Sequence, residues 1–205
     1  MLHLGLPARH PVAVAIEFVG FTGDIRIVGQ IPLADDRLSD MLNSVARIVV
    51  RGAALEDLDT GRQENGDVPI PCGDFLVVAG TGRRGMENLR KRTVQRPVVM
   101  GLGRFTVTGN LHVSPSADVA SRGGQPDELL VGRDLLVPFT EATIEYARCG
   151  RPTTETWETL LVNRARVRWI EAADAMVSVL ADDPVAPQRG VAKRRWIKDF
   201  SPVPD

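Results

Sequence analysis

Twice along this chain an alternation of apolar and polar residues is interrupted at its centre by a glycine. The first is "IRIVGQIPL", Ile25 to Leu33 around Gly29 and interrupted at Pro32, and the second lies in "RFTVTGNLHVSPSADV", Arg104 to Val119, around Gly109. Alternation with a period of two belongs to a strand with one buried face, and a lone glycine within it marks a sharp bend or a bulge. Two such segments restrict the chain to short, strongly bent sheets. The punctuation agrees: 14 prolines and 19 glycines recur among valine-rich stretches, with only 5% aromatic residues. That rhythm favours strands and turns over long helices.

The order of events repeats. In the first half, "VAVAIEFV" (Val12 to Val19) reads as a strand, and the Gly29 segment as a second. In "ADDRLSDMLNSV", Leu38, Met41, Leu42 and Val45 fall at helical spacing, with Asp35 or Asp36 placed to cap. "ARIVVRGAALEDL" reads as a long strand, "DTGRQENGDVPIPCGD" as a polar loop and "FLVVA" as a closing strand. In the second half the Gly109 segment is followed by "DLLVPFTEATIEYARCG", which matches the long strand and its turn. "ETLLVNRARVRWIEA" then matches "DFLVVAG". The expected fold is mainly β: two tandem small, strongly bent antiparallel β-barrel domains, with a short helix in the first and a basic linker between them. The expected boundaries are 1–80 for the first barrel, 81–98 for the linker, 99–181 for the second barrel and 182–205 for an extended, basic, Pro-rich tail.

Composition narrows the function classes. A chain of 205 residues, 43% hydrophobic and 25% charged, can bury a sizeable core. A net charge of −1 does not suit a uniformly basic nucleic-acid binder. No apolar run reaches the roughly 18 residues that a bilayer span requires. The N-terminus lacks a basic start followed by an unbroken apolar stretch, so no secretory signal is expected. Two cysteines, Cys72 and Cys149, are too few for a disulfide framework, and a reduced cytoplasmic setting is expected. They are read as equivalent loop positions of the two copies.

The stretch "FLVVAGTGRRGMENLRKR" spells Gly80-x-Gly82-x-x-Gly85 after an apolar strand, the spacing of a dinucleotide fingerprint. The fingerprint also needs a returning parallel strand and an acidic residue about twenty positions on to hold the ribose. No Asp or Glu lies between Glu87 and Asp118. A basic connector is the expectation, with no cofactor. His3, His10 and His112 are scattered and have no metal-site spacing; surface or terminal positions are expected for them. No serine sits in a nucleophile elbow. Asp35, Asp36 and Asp40 are read as capping and turn residues, and Glu155 and Glu158 as solubilising an edge beside Trp157.

Positive charge is the more informative pattern. Arg83, Arg84, Arg90, Lys91, Arg92 and Arg96 stand against Glu87 alone, and Arg189, Lys193, Arg194, Arg195 and Lys198 surround Trp196. Clustered Lys and Arg can neutralise phosphates, and an aromatic among them can stack on a base. A solvated linker has the same composition, and Trp196, Ile197 and Phe200 could instead dock into a partner's groove. Arg164, Arg166 and Arg168 alternate, which would put them on one face of the strand that holds Trp169.

The order within each half resembles the Sm-like small β-barrels. "VGQIPLADDRLSDMLNSVARIVVRGAALED" is similar to that family's first signature, with Gly29 at the bend and Asn43 near the position that contacts RNA bases. "ETLLVNRARVRWIE" resembles the closing motif, with Asn163 and Arg164 standing where the family usually has an Arg–Gly pair. The first half also resembles small bacterial β-domains of unassigned function that carry an RLSD-x-LN segment. The segment 37–43 is a helical insertion where the Sm family has a tight turn. The second half offers "SPSADVASRGGQPDELL" where the Asp–Asn signature would stand.

The leading expectation is a non-catalytic interaction or scaffold protein that binds partner proteins or self-assembles through β-barrel surfaces and a basic aromatic tail. No small-molecule substrate is evident. One alternative is an RNA- or DNA-binding regulator using the basic linker and tail. The other is an enzyme whose site is assembled between the two domains.

Overall fold

The computed structural model describes residues 14–33, 37–80, 93–113 and 132–173. They form ten antiparallel strands and one short helix. The first half contributes β1 (Val14–Phe21), β2 (Ile25–Leu33), α1 (Leu38–Ser44), β3 (Arg47–Asp57), β4 (Gln63–Pro71) and β5 (Val77–Gly80). The second contributes β6 (Val94–Leu102), β7 (Phe105–Val113), β8 (Leu136–Arg148), β9 (Arg151–Asn163) and β10 (Trp169–Ala172). All ten belong to one sheet in the order β10-β6-β7-β8-β9-β5-β1-β2-β3-β4.

That order contains the same arrangement twice. In each half the last strand lies beside the first, and the second, third and fourth follow, as β5-β1-β2-β3-β4 and β10-β6-β7-β8-β9. The expectation of a mainly β chain with a helix in its first half holds. The sheet is not closed, however, and it runs unbroken from one half into the other through β5 and β9. Strand β6 begins at Val94, inside the segment 81–98 read as a linker.

The bends fall at the glycines that the alternation singled out. The β2–β3 register shifts between Val28 and Gln30, and the β7–β8 register between Thr108 and Asn110. A Cβ on Gly29 would come within 2.6 Å of Val50 Cγ1 and 2.9 Å of the Arg51 carbonyl, and one on Gly109 within 3.0 Å of Ala142 Cα. Each glycine therefore lets the next strand cross its backbone at close range. Opposite them the bulged strands carry Gly52 and Glu141 at φ 54° and 51°.

Each half completes the other's core. Phe21, Leu58, Val77 and Ala79 of the first half pack with the second-half residues Met100, Phe105, Phe139 and Leu160. Conversely, Leu136 and Leu161 pack among Phe18, Ile31, Val50 and Phe75. The Phe21 ring makes edge contacts with Phe105 and Tyr146 at centroid distances of 5.5 and 5.4 Å. Around this contact Arg148 Nε meets the buried Glu56 carboxylate at 2.6 Å. Arg104 Nη2 reaches Asp59 at 2.6 Å and its Nη1 reaches Asp24 at 3.3 Å. Burial of these shared apolar surfaces ties the two halves into one packing unit.

Several expectations need correction. "DTGRQENGDVPIPCGD" is not a loop throughout, since Gln63–Pro71 forms β4. Its polarity reflects an exposed strand, and proline is accepted where its missing N–H faces away from the neighbouring strand. "ETLLVNRARVRWIEA" is not one strand. It spans the end of β9, a 3-10 turn at Arg164–Arg166, and β10. The counterpart of β5 is thus Trp169–Ala172, and "ETLLVN" corresponds to β4. Arg164, Arg166 and Arg168 therefore do not share a strand face. Cys72 is buried in the 3-10 turn after β4, whereas Cys149 is exposed in the β8–β9 turn, so the cysteines are not equivalent. Helix α1 starts after Arg37, which makes no side-chain cap; Asp35 and Asp36 lie outside the described residues. His112 is half-buried, with Nε2 2.9 Å from Thr140 Oγ1 and Nδ1 3.1 Å from Thr93 Oγ1; burial pushes its pKa down.

Candidate interaction surface

Strand β5 is bordered on both sides. It pairs with β1, and on its other edge Val77, Val78 and Ala79 face Val162, Leu161 and Leu160 of β9. The ladder continues beyond β5, where the Asn163 N–H donates to the Leu76 carbonyl at 2.9 Å. In antiparallel pairing, alternate residues turn both backbone groups toward the same neighbour. Asn163 and Leu161 therefore present their N–H groups to the β5 side.

Two asparagines reinforce this junction. Asn163 is fully buried, and its Nδ2 donates to the Gly73 and Phe75 carbonyls at 3.2 and 2.8 Å. Its Oδ1 accepts from the Ala165 N–H, which caps the 3-10 turn. Asn43, near the end of α1, donates from Nδ2 to the Leu136 carbonyl at 2.9 Å and accepts from the Leu136 N–H at 2.8 Å. The helix of the first half is thus clamped to the first residue of β8. Both asparagines bond backbone groups from the opposite half. Sequence reading picked them out through their likeness to a base-binding signature; their junction role depends on partners about ninety residues away in the chain.

Of the remaining candidates, Arg164 sits in the 3-10 turn, with its guanidinium against Gly132. Arg83, Arg84, Arg90, Lys91 and Arg92 lie outside the described residues, as do Lys193, Arg194, Arg195 and Trp196. So do Gly82 and Gly85 of the glycine-rich stretch, while β5, which leads into it, pairs antiparallel with both neighbours. Among the described residues, no group of three or more His, Cys, Asp or Glu side chains could hold a metal ion. No helix there is long and apolar enough to cross a membrane.

Two strands pair on one side only among the described residues, β4 with β3 and β10 with β6. Most of β4 is exposed, with Gln63, Glu64, Asn65, Gly66 and Asp67 all open to solvent. The Asp67 carboxylate accepts from the Gly52 N–H at 2.8 Å. In β10, Ile170 is buried, Trp169 lies over Gly101 where no side chain would fit, and Ala172 is exposed. Among the described residues, these one-sided strands are the surface feature that stands out. Comparison with known proteins adds no assignment, because no family model, curated protein or solved structure matches the chain.

Proposed function

We propose that this chain is a non-catalytic interaction protein that binds partner proteins, or copies of itself, through the surfaces and edges of its bent β-structure. Each half is read as an Sm-like module. The supporting observation is the strand order: one module's edge is already joined to the other's through β5 and β9, while β4 and β10 stay one-sided among the described residues. An open strand edge presents unpaired N–H and C=O groups that a further strand can satisfy. The test is sedimentation of the purified chain, alone over a range of concentrations and mixed with an extract of its source cells. A complex heavier than the 22.3 kDa chain is expected in at least one condition. A chain that sediments as a monomer throughout overturns the reading.

The charge pattern favours one alternative, a nucleic-acid-binding regulator acting through the basic segments around Arg83–Arg96 and Arg189–Lys198. Such binding would weaken steeply with added salt and disappear when those clusters are neutralised. No retention on a mixed nucleic-acid column at low salt removes it.

A further inference from the structure

The outward side of the sheet in the second half is a surface of carboxylates and hydroxyls. Residues that oppose one another across a ladder share a side. On this side Glu171 opposes Val99, Val99 opposes Thr108, Thr108 opposes Thr143 and Thr143 opposes Thr156. One row along, Glu145 lies between Thr106 and Thr154. The alternate residues Ile170, Met100, Val107 and Ile144 point the other way, into the core. Glu141 belongs to the outward side as well. Its Oε2 accepts from Asn110 at 2.9 Å, and Leu111 beside Asn110 is in the core. Glu141, Glu145, Thr108 and Thr156 are exposed, and Glu171 is half-buried.

No cation answers these three carboxylates. Glu145 and Glu171 form no ion pair among the described residues, and the Asn110 amide that meets Glu141 is neutral. The outward positions of these strands hold no arginine, and the described residues contain no lysine. A surface of one sign favours an occupant of the other. The chain carries such a segment beyond β10, with Arg189, Lys193, Arg194, Arg195 and Lys198 around Trp196. Laid out as a strand, Arg194, Trp196 and Lys198 share one side, with their two charges roughly 13 Å apart. Glu141, Thr143 and Glu145 alternate in the same way on β8. The other basic segment does not fit: Arg83, Arg84, Arg90, Lys91 and Arg92 include no pair four positions apart. Reach is ample. Strand β10 ends at Ala172, at the border of a face of five strands, roughly 19 Å across. Residues 174–193 can extend by up to roughly 3.3 Å each.

We infer that this outward face is the docking site of the chain's own segment 189–198, with Arg194 and Lys198 on Glu141 and Glu145 and with Trp196 over the threonines between them. Arginine meets a carboxylate through paired hydrogen bonds as well as charge. The threonine methyls give the indole an apolar floor. Docked there, the basic aromatic segment is withheld from anionic partners, and a ligand that uses it must first compete with Glu141 and Glu145. The contact needs one chain only, so it goes beyond the reading that the chain works through strand edges.

The test treats the purified full chain with a carbodiimide, which joins a carboxylate to an amine in contact with it. Lys91, Lys193 and Lys198 are the only lysines of the chain, so each side-chain link is assignable by mass spectrometry. Links from Lys193 or Lys198 to Glu141, Glu145 or Glu171 within one chain are expected. Added salt at about 0.5 M should reduce them about fivefold, because the contact is held by exposed charge. In the variant Glu141→Gln with Glu145→Gln, trypsin should cleave after Arg194 and Arg195 about fivefold faster, as two surface ion pairs are lost. Glu17→Gln with Glu64→Gln, at exposed carboxylates of the first half, should leave cleavage at the parent rate. Links confined to Lys91, links to carboxylates off this face, or parent-rate cleavage in the Glu141→Gln, Glu145→Gln chain overturns the docking. Links found only between labelled and unlabelled chains in a mixture overturn docking within one chain. A chain that sediments as a monomer throughout would remove the interaction reading and leave these links in place.

Discussion

Strands β4 and β9 hold the same place in the two halves, each fourth in an identical order, yet they are built from different residues. Strand β9 ends in "LLVN", buried between β8 and β5, while β4 ends in "VPIP" with most of its length in water. The difference follows from position in the sheet. A strand with neighbours on both sides uses backbone donors along both edges and apolar side chains for the packed cores. An edge strand can spare half its donors, and prolines at those places discourage unwanted pairing. Proline in β4 and asparagine at the end of β9 are thus two answers to one question, whether the outer side of the strand is covered.

The most severe way to break this comparison is at Asn163. Replacing it with alanine strands the Gly73 and Phe75 carbonyls in the core, and a loss of about 3 kcal/mol is expected in urea unfolding. Pro71→Asn alone, at the matching place on β4, should change stability by less than about 0.5 kcal/mol, because it lies at an exposed edge. Equal losses at the two sites would mean that β4 is covered.

The bends give the next largest effect. Gly29→Ala should cost about 2–3 kcal/mol and Gly109→Ala about 1–2 kcal/mol, since the nearest atoms are tighter around Gly29. Reversal of that order by thermal or urea unfolding would show that the two crossings are not packed as described.

The fourth-strand hairpins should differ in their response to acid. The β3–β4 turn is held by Asp57, whose Oδ1 accepts from the Thr60 N–H at 2.8 Å and from the Thr60 hydroxyl and Asp59 N–H. The Thr60 backbone bond, first among these, lowers the Asp57 pKa. A lowered carboxylate pKa stabilises the fold fully above the ordinary aspartate value and ceases to do so as pH falls through the lowered one. The β8–β9 turn instead uses Cys149 and Gly150 at φ 49° and 72°, and its Cys149 N–H donates to the Leu58 carbonyl. Acidification below the ordinary aspartate range should lower the protection of the Thr60 amide against exchange, relative to its intrinsic rate, before that of the Gly150 amide, and Asp57→Asn should abolish the difference.

The bulge residues should show the smallest effect. Gly52→Ala is expected to destabilise by about 1 kcal/mol, because a side chain is strained at its positive φ although space is open around it. Glu141→Gly at the matching bulge should be neutral or gain up to about 1 kcal/mol, offset by the lost bond from Asn110. Paired melting curves for the two variants check the opposite signs.

Much of the local structure was legible in the residues. Gly29 and Gly109 mark the bends, β2 follows its alternation from Ile25 and continues through Pro32, where an interruption was expected, and Leu38, Met41 and Leu42 lie on α1. Strand β4 was not legible, because "QENGDVPIP" has neither an apolar face nor donors throughout, and its strand state comes from pairing with β3. The break in "ETLLVNRARVRWIEA" was hidden for a related reason. A 3-10 turn among arginines keeps the spacing of a strand while turning the chain from one neighbour to another.

What the amino-acid order determined by itself is the repeated plan of bent strands, since side-chain alternation and the steric needs of glycine act over a few neighbouring residues. Which strands are covered, what Asn43 and Asn163 hold, and that one sheet runs through both halves were decided only in the tertiary structure. Those outcomes depend on hydrogen bonds and burial between residues far apart in the chain, and nothing local encodes which distant backbone will arrive opposite a given side chain.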